Sequence, residues 1–284
     1  MFPDELEAAF DDFPAAYLAY GLCEPHGPQN TLGNDGIRSH ETLILVAREH
    51  GGIVCPPYYW HCHEIAGYGN WGERVIENKR TWLTGIPPWH FLKSICYHIR
   101  AMDAHRFKAT VLFSGHSGPH RLDVPIVIGI MQQHVDTQLS LFMSSGTDAD
   151  HFGDDLGTGG HAGRGETSQL WAVAPDCVDL SRIPEPDEPG PHFAMGGHAL
   201  ANRQAGERMT EDVIDRIASK AREGVGAYEK KRTSILTYGD VEAIWSEEIQ
   251  PKLQDFASLQ EPDEPPAEGS QWRANWSVPD LGGL

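Results

Sequence analysis

The sequence predicts an α/β fold built on a mostly parallel sheet, and three observations carry that prediction. Strand-like runs occur at Ala15–Leu22, Ile53–Cys55, Ala109–Phe113 and Thr137–Met143, and in Ala109–Phe113 polar and apolar residues do not alternate, as expected of a strand buried on both faces. Segments with helical spacing alternate with these runs, which is the order of βαβ units. Finally, the side chains able to do chemistry gather on glycine-rich stretches, one of them just past an apolar run, where open α/β sheets place their ligands.

Taken in order, Glu5–Phe10 forms a short helix and Ala15–Leu22 the first strand, which delivers the stretch Gly21–Gly36 (GLCEPHGPQNTLGNDG). Ser39 is expected to cap a helix over Glu41–His50, with Leu43, Val46 and Ala47 on one face and Gly51 or Gly52 as its stop. Ile53–Cys55 is a strand ended by Pro56 and Pro57. Pro87 and Pro88 open a helix to about Ala104, because Phe91, Leu92, Ile95, Ile99 and Met102 recur at helical spacing. The strand Ala109–Phe113 leads into Phe113–His120 (FSGHSGPH), then a helix from Val124 to His134 with Pro125 in its first turn, then the strand Thr137–Met143. Thr167–Ala174 is helical with Glu166 in its first turn, and Asp176–Pro191 is a polar, proline-rich linker. Thr210 is expected to cap a helix to Glu223, and Val241–Phe256 to form another. The tail from Glu261 is acidic, proline-rich and irregular, and its Trp272 and Trp276 indicate docking, for example on a neighbouring subunit.

Composition narrows the function. The chain has 284 residues and a formal charge of -19, which repels nucleic acid and anionic membranes alike. No apolar run approaches the ~18 residues of a membrane span. The first residues are acidic and lack a basic region followed by an apolar core, so no signal peptide is expected. Five cysteines, Cys23, Cys55, Cys62, Cys96 and Cys177, are odd in number and form no CxxC pair, which fits reduced thiols in a cytoplasm.

Three glycine-rich stretches offer donors. The first carries Glu24, His26 and Asp35, with Pro25 favouring the extended backbone that points Glu24 and His26 the same way. The second carries His116. The third, Gly159–Ser168 (GGHAGRGETS), carries His161 and Glu166. Hard oxygen donors beside imidazoles suit a divalent ion such as zinc, manganese or iron. A surface turn is the plain alternative for Asn34 and Asp35. In Tyr58–Asn70 (YYWHCHEIAGYGN) His61, Cys62, His63 and Glu64 are also possible ligands, but near neighbours on one chain rarely reach one ion together. The acidic stretch Asp148–Asp155 lacks the D-x-D-x-D-G frame of a calcium loop and reads as a solvated rim.

These stretches resemble the creatininase (creatinine amidohydrolase) family of metal-dependent amide hydrolases. The pattern G-x-x-E-x-H-G-P with an Asp eleven residues after the Glu, a G-H loop after a strand, and H-A-G-x-x-E-T-S occur in that order over roughly Leu18 to Arg208. There are departures. Ala19 stands where the family usually has a proline, and Ser114, Ser117 and Pro119 replace Asn, Gly and Asn around His116. Gly118 and Gly157 stand where creatinine-hydrolysing members carry a Glu and a Trp, which points away from creatinine itself.

The resemblance implies a three-layer αβα sandwich, with a metal-dependent hydrolase domain over 1–225 and a C-terminal extension over 226–284. It implies two divalent metal ions per chain, Zn and/or Mn with Fe possible. Asp35 would bridge them and a hydroxide would lie between them. Glu24 and His116 would complete one site, His26 and Glu166 the other. His161 and Glu166 are the expected catalytic residues, His161 as the acid that protonates the departing nitrogen, worth about 100- to 10,000-fold. Its alternative is a hydrogen-bond partner of a metal ligand. Tyr59, Trp60 and His61 would shape the pocket over a small-molecule substrate, a cyclic amide, imide or formamide. Thr167 and Ser168 are helix-start groups rather than nucleophiles. A homo-oligomer, commonly a hexamer, is expected. The alternative from another class is a non-catalytic or ligand-binding subunit that keeps the fold.

Overall fold

The computed structural model describes residues 1–63, 73, 80, 82–143, 149–154, 156–184, 198–260 and 266–270. Expectations for Glu64–Asn70, Asp148, Asp155, 185–191, Trp272 and Trp276 lie outside these residues.

Helix α1 (Pro3–Asp12) precedes β1 (Ala15–Tyr20), α2 (Asn34–His50) and β2 (Ile53–Val54). A small parallel pair, β3 (His61–Cys62) with β4 (Gly85–Ile86), follows. Then come α3 (Pro88–Ala104), β5 (Ala109–Ser114), α4 (His120–Gln132), β6 (Gln138–Met143), α5 (Arg164–Val173), α6 (Arg203–Ala227) and α7 (Tyr238–Ile244). The main sheet is parallel throughout, in the order β2-β1-β5-β6.

Every residue of β1 and β5 is buried, because the sheet is covered on both faces. Leu18, Tyr20 and Leu112 point into a core shared with Phe91, Ile95 and Ile99 of α3 and Val127 and Met131 of α4. Ala15, Tyr17, Ala19, Val111 and Phe113 point the other way, onto Leu43 and Val46 of α2 and Val213, Ile217 and Ala221 of α6. This is the three-layer sandwich that the unalternating run Ala109–Phe113 requires. At the edge, β6 is mostly half-buried.

Several boundaries differ from expectation for physical reasons. Helix α2 begins at Asn34 rather than Glu41, so Ser39 lies inside it and donates its hydroxyl to the Asp35 carbonyl at 2.8 Å. Helix α4 begins at His120, which puts Pro125 in the second turn and leaves the Arg121 carbonyl without its intrahelical donor. Helix α6 starts at Arg203, capped by the Asn202 side chain on the Ala205 N–H; Thr210 is interior and bonds the Gly206 carbonyl. The helix expected over Val241–Phe256 breaks into α7, a π-helical turn at Trp245–Ile249 and a 3-10 stretch at Gln250–Asp255. Pro251 lacks the N–H and crowds the preceding turn, so the α-helical ladder cannot continue through it.

The segment after α6 returns to the core. Trp245, Ile249, Leu253, Phe256 and Leu259 are buried among residues of α3 and α4, each worth roughly 1.5–3 kcal/mol of burial. No helix among the described residues is long and apolar enough to cross a membrane.

Candidate metal centre

From β1 the chain moves to β2 on one side, and from β5 to β6 on the other, so the carboxyl ends of β1 and β5 open a crevice at the switch point. Glycine lets three segments converge there. A Cβ on Gly21 would meet the Gly36 nitrogen at 2.2 Å, and one on Gly115 would meet the Asp35 carbonyl oxygen at 2.1 Å. The loop after β1, the start of α2 and the loop after β5 are therefore pressed backbone to backbone.

This convergence brings together Glu24, His26, Asp35 and His116, all buried. Asp35 stands between two imidazoles: Oδ1 is 3.1 Å from His26 Nε2 and Oδ2 is 3.1 Å from His116 Nδ1. His116 Nδ1 is equally 3.1 Å from Glu24 Oε1. The third stretch closes the ring from α5, with Glu166 Oε2 3.6 Å from His26 Nε2 and His161 Nδ1 3.7 Å from Glu24 Oε1.

Hydrogen bonds to carbonyls, which only accept, settle two tautomers. His26 Nδ1 donates to the Glu24 carbonyl at 3.1 Å, and His161 Nε2 to the Pro25 carbonyl at 2.6 Å. In the neutral rings each inward nitrogen therefore carries a lone pair. His26 Nε2 is buried and faces carboxylate oxygens of Glu24, Asp35 and Glu166. A lone pair facing oxygens is repulsive unless a proton or a metal ion comes between them. The same demand appears in the titration of the metal-free site. Burial would depress His26 and His116, yet Asp35, Glu24 and Glu166 lift His26 to about 9, and Glu24 with Asp35 lifts His116 to about 10. Burial would raise Asp35 and Glu24, but the neighbouring imidazoles hold Asp35 at about 2 and Glu24 well below the carboxylate range.

The donor set could hold divalent metal in overlapping groups of three. In the group Glu24–Asp35–His116 and in the group His26–Asp35–Glu166, the candidate donor atoms lie within 4.8 Å of one another, and the two groups share Asp35. A ring of oxygen and imidazole nitrogen donors suits zinc, manganese or iron.

Other residues complete the surroundings. Arg38, in the second turn of α2, is buried; it donates to the Gly115 carbonyl at 2.7 Å and to Gln169 at 2.8 Å, and reaches Glu166 Oε1 at 3.3 Å. His63 Nε2 is 3.2 Å from Glu24 Oε2. Arg38 carries no distinctive sequence signal, although it stands one helical turn after Asp35, whereas His63 is one of the possible ligands of the Tyr58–Asn70 stretch and lies at the cavity with Glu24. A layer of His61 and His120 lies behind His116, with Ser114 Oγ 3.3 Å from His61 Nε2 and 3.4 Å from His120 Nε2.

The donors open onto a cavity of about 660 Å³. Glu24, Asp35, His63, His116, His161 and Glu166 line one side, and Arg121, Leu122, Ala257 and Gln260 line another. Tyr59, Trp60 and His61 are not among the lining residues: Tyr59 packs over Gly36, Trp60 is exposed and His61 is buried against Phe91.

The creatininase family profile, described as creatinine amidohydrolase, matches residues 1–221. No curated protein matches. Among solved structures, a manganese creatininase is 21% identical with TM-score 0.62, covering 78% of this chain and 96% of its own. A creatininase variant of Zn-Zn type is 22% identical with TM-score 0.61, covering 78% and 95%. A creatininase variant complexed with creatine is 20% identical with TM-score 0.62, covering 78% and 96%. At these identities the structures speak to fold alone, while the profile spans most of the chain. The chain belongs to the creatininase (creatinine amidohydrolase) family and is a hydrolase of carbon–nitrogen bonds other than peptide bonds.

Proposed function

We propose that the chain is a dinuclear metal amidohydrolase that cleaves the C–N bond of a small cyclic amide, imide or formamide. The observation that carries this is Asp35, which lines one cavity and whose two oxygens each lie 3.1 Å from a different imidazole. In this reading Glu24, Asp35 and His116 hold one ion and His26, Asp35 and Glu166 the other, zinc or manganese with iron also suited. The ions would supply Lewis acidity and a water acidified from about 16 to about 7. Glu166 would fill the place left by Gly118, and the substrate would be other than creatinine.

The chain's own residues do the rest. His161 is anchored through Nε2 on the Pro25 carbonyl, so Nδ1 is the atom that takes a proton and hands it to the departing nitrogen. Arg38 and the Ala162 N–H hold the two oxygens of Glu166. The cavity volume lies within the usual range for small-molecule sites, about 300–1,000 Å³. We extend the proposal to residues 1–225 as the hydrolase domain and 226–284 as an extension that adds a cavity wall. It also covers a homo-oligomer, six copies by the family resemblance, and a cytoplasmic setting, supported by free thiols at all five cysteines.

Metal analysis of the purified protein, followed by a panel of cyclic amides, imides and formamides, tests the reading. About two ions per chain and hydrolysis of one class are expected. A chain that takes up no zinc or manganese yet binds amides would instead be a binding subunit. Light scattering tests the oligomer.

A further inference from the structure

The cavity has a wall that the metal reading leaves unused. It is built by the start of α4 and by the chain beyond α7, past the residues matched by the family profile. Asp123, buried in α4, accepts the N–H groups of Ala257 at 2.7 Å and Ser258 at 2.8 Å, and also the Ser258 hydroxyl. Phe256 and Leu259 anchor the same turn in the core. The clasp fixes Gln260 on the cavity wall that also carries Arg121.

The side chains on this wall have unequal commitments. Gln260 gives its amide N–H groups to the carbonyls of Gln254 at 2.7 Å and Phe256 at 3.0 Å, so its Oε1 is left as an acceptor. Arg121 has no carboxylate within ion-pair distance among the described residues, in a chain of net charge -19. The acids lining the cavity, Glu24, Asp35 and Glu166, all face imidazoles. An arginine on a cavity wall, left without an acid in so acidic a protein, is suited to bind an anion that arrives from outside, and its planar fork matches a carboxylate.

We propose that the substrate is an amide that carries a carboxylate, which Arg121 binds while Gln260 Oε1 accepts an N–H of the same molecule. Arg121 thereby determines specificity, and the C-terminal segment is the device that shapes selectivity. The proposal rests on the amidohydrolase reading for its reaction but not for its binding.

Three matched pairs serve as probes with the manganese-loaded protein: hydantoin-5-acetate with hydantoin-5-acetamide, N-formylglycine with N-formylglycinamide, and succinamate with succinamide. Calorimetric binding to the wild type and to Arg121→Gln, Arg121→Lys and Gln260→Ala is measured beside turnover. In at least one pair the carboxylate should bind about 10- to 100-fold more tightly than its neutral partner. Arg121→Gln should abolish that preference without changing binding of the neutral member, and Arg121→Lys should restore part of it. The absence of a carboxylate preference in every pair, or an equal loss for both members in Arg121→Gln, overturns the proposal. Preference without hydrolysis of any pair leaves the carboxylate receptor standing and counts against the amidohydrolase reading instead.

Discussion

Arg38 and Glu166 meet beneath the cavity, Nη2 3.3 Å from Oε1, although 128 positions separate them in the chain. The guanidinium is buried, with a side-chain exposure of 2%, and its charge must be balanced by acids that the metals would also use. Glu166 is thus held on both sides, since its other oxygen accepts the Ala162 N–H at 2.8 Å.

Arg38→Met should therefore destabilise the metal-free protein, because Glu166 and Asp35 lose their nearest permanent cation. Breaking a buried ion pair in this way costs about 3–5 kcal/mol. Added manganese should recover part of the loss, since an ion replaces the missing charge. Urea unfolding in EDTA and in manganese measures both quantities. Unchanged stability in EDTA would show that Arg38 does not balance these acids.

Asp35 and Glu166 should differ in how many ions they retain. Asp35 is shared by both donor groups and Glu166 belongs to one. Asp35→Ala should lose both ions, while Glu166→Gln should keep about one per chain. Elemental analysis after gel filtration distinguishes them. Equal loss in the two variants would remove the distinction between a bridging and a terminal carboxylate.

Much of this centre was legible because its residues have no competing duty. Glu24, His26, His116 and His161 stand on glycine-rich stretches with little apolar content, so chemistry was the economical reading of them. Spacing points to Asp35 but not to its setting: a surface turn is the plain alternative there, whereas Gly36 is helical and small because a Cβ there would meet the Tyr59 ring at 2.2 Å. Arg38 was hidden because a polar residue in an amphipathic helix looks like a solvated face until the layer above it is known. The Asp123 clasp was hidden for another reason. It joins α4 to a segment 134 positions later, and no local pattern encodes so distant a contact. Likewise, an arginine and a glutamine gain meaning only when the fold places them on one cavity wall.

Metal should reverse the pH trend of stability. In the metal-free protein His26 and His116 titrate at about 9 and about 10 instead of 6.5. The folded state thus holds protons that the unfolded chain releases above pH ~6.5, so their contribution is complete below ~6.5 and is lost as the pH rises through 9 and 10. Asp35 at about 2, lowered from 3.8, contributes fully above ~4, and that contribution is lost as the pH falls through 2. From these groups the metal-free protein should be most stable between ~4 and ~6.5. An ion must displace the imidazole protons, so its apparent affinity rises over the interval in which the metal-free protein weakens. Melting temperatures at pH 6 and pH 9, in EDTA and in manganese, should diverge with pH; parallel shifts would contradict the assignment of both imidazoles.

His161 should matter to turnover more than to metal retention. Its Nε2 is committed to the Pro25 carbonyl and its Nδ1 stands 3.7 Å from Glu24. His161→Gln should retain both ions and lose about 100- to 10,000-fold in kcat. An activated amide with a good leaving group should recover much of that loss, because it needs less proton transfer. A loss of metal in step with activity would make His161 a ligand.

Asp123 supports the cavity from a distance, which makes its effect separable from that of the metal. Its carboxylate accepts two N–H groups and a hydroxyl, all donors. In Asp123→Asn the charge is gone and an NH2 group turns toward these donors, and each buried donor left unpaired costs about 1–3 kcal/mol. The cost falls first on the Ala257–Leu259 turn, since β1 and β5 are held by strand pairing that this change does not touch. Hydrogen exchange should accordingly quicken at Ala257 and Ser258 while the β1 and β5 amides stay protected. Metal content should be unchanged and KM should rise, because Gln260 is no longer fixed beside the substrate. Exchange that quickens equally throughout the sheet would mean that the turn and the core unfold as one unit, and the C-terminal wall would then have no independent hold on the cavity.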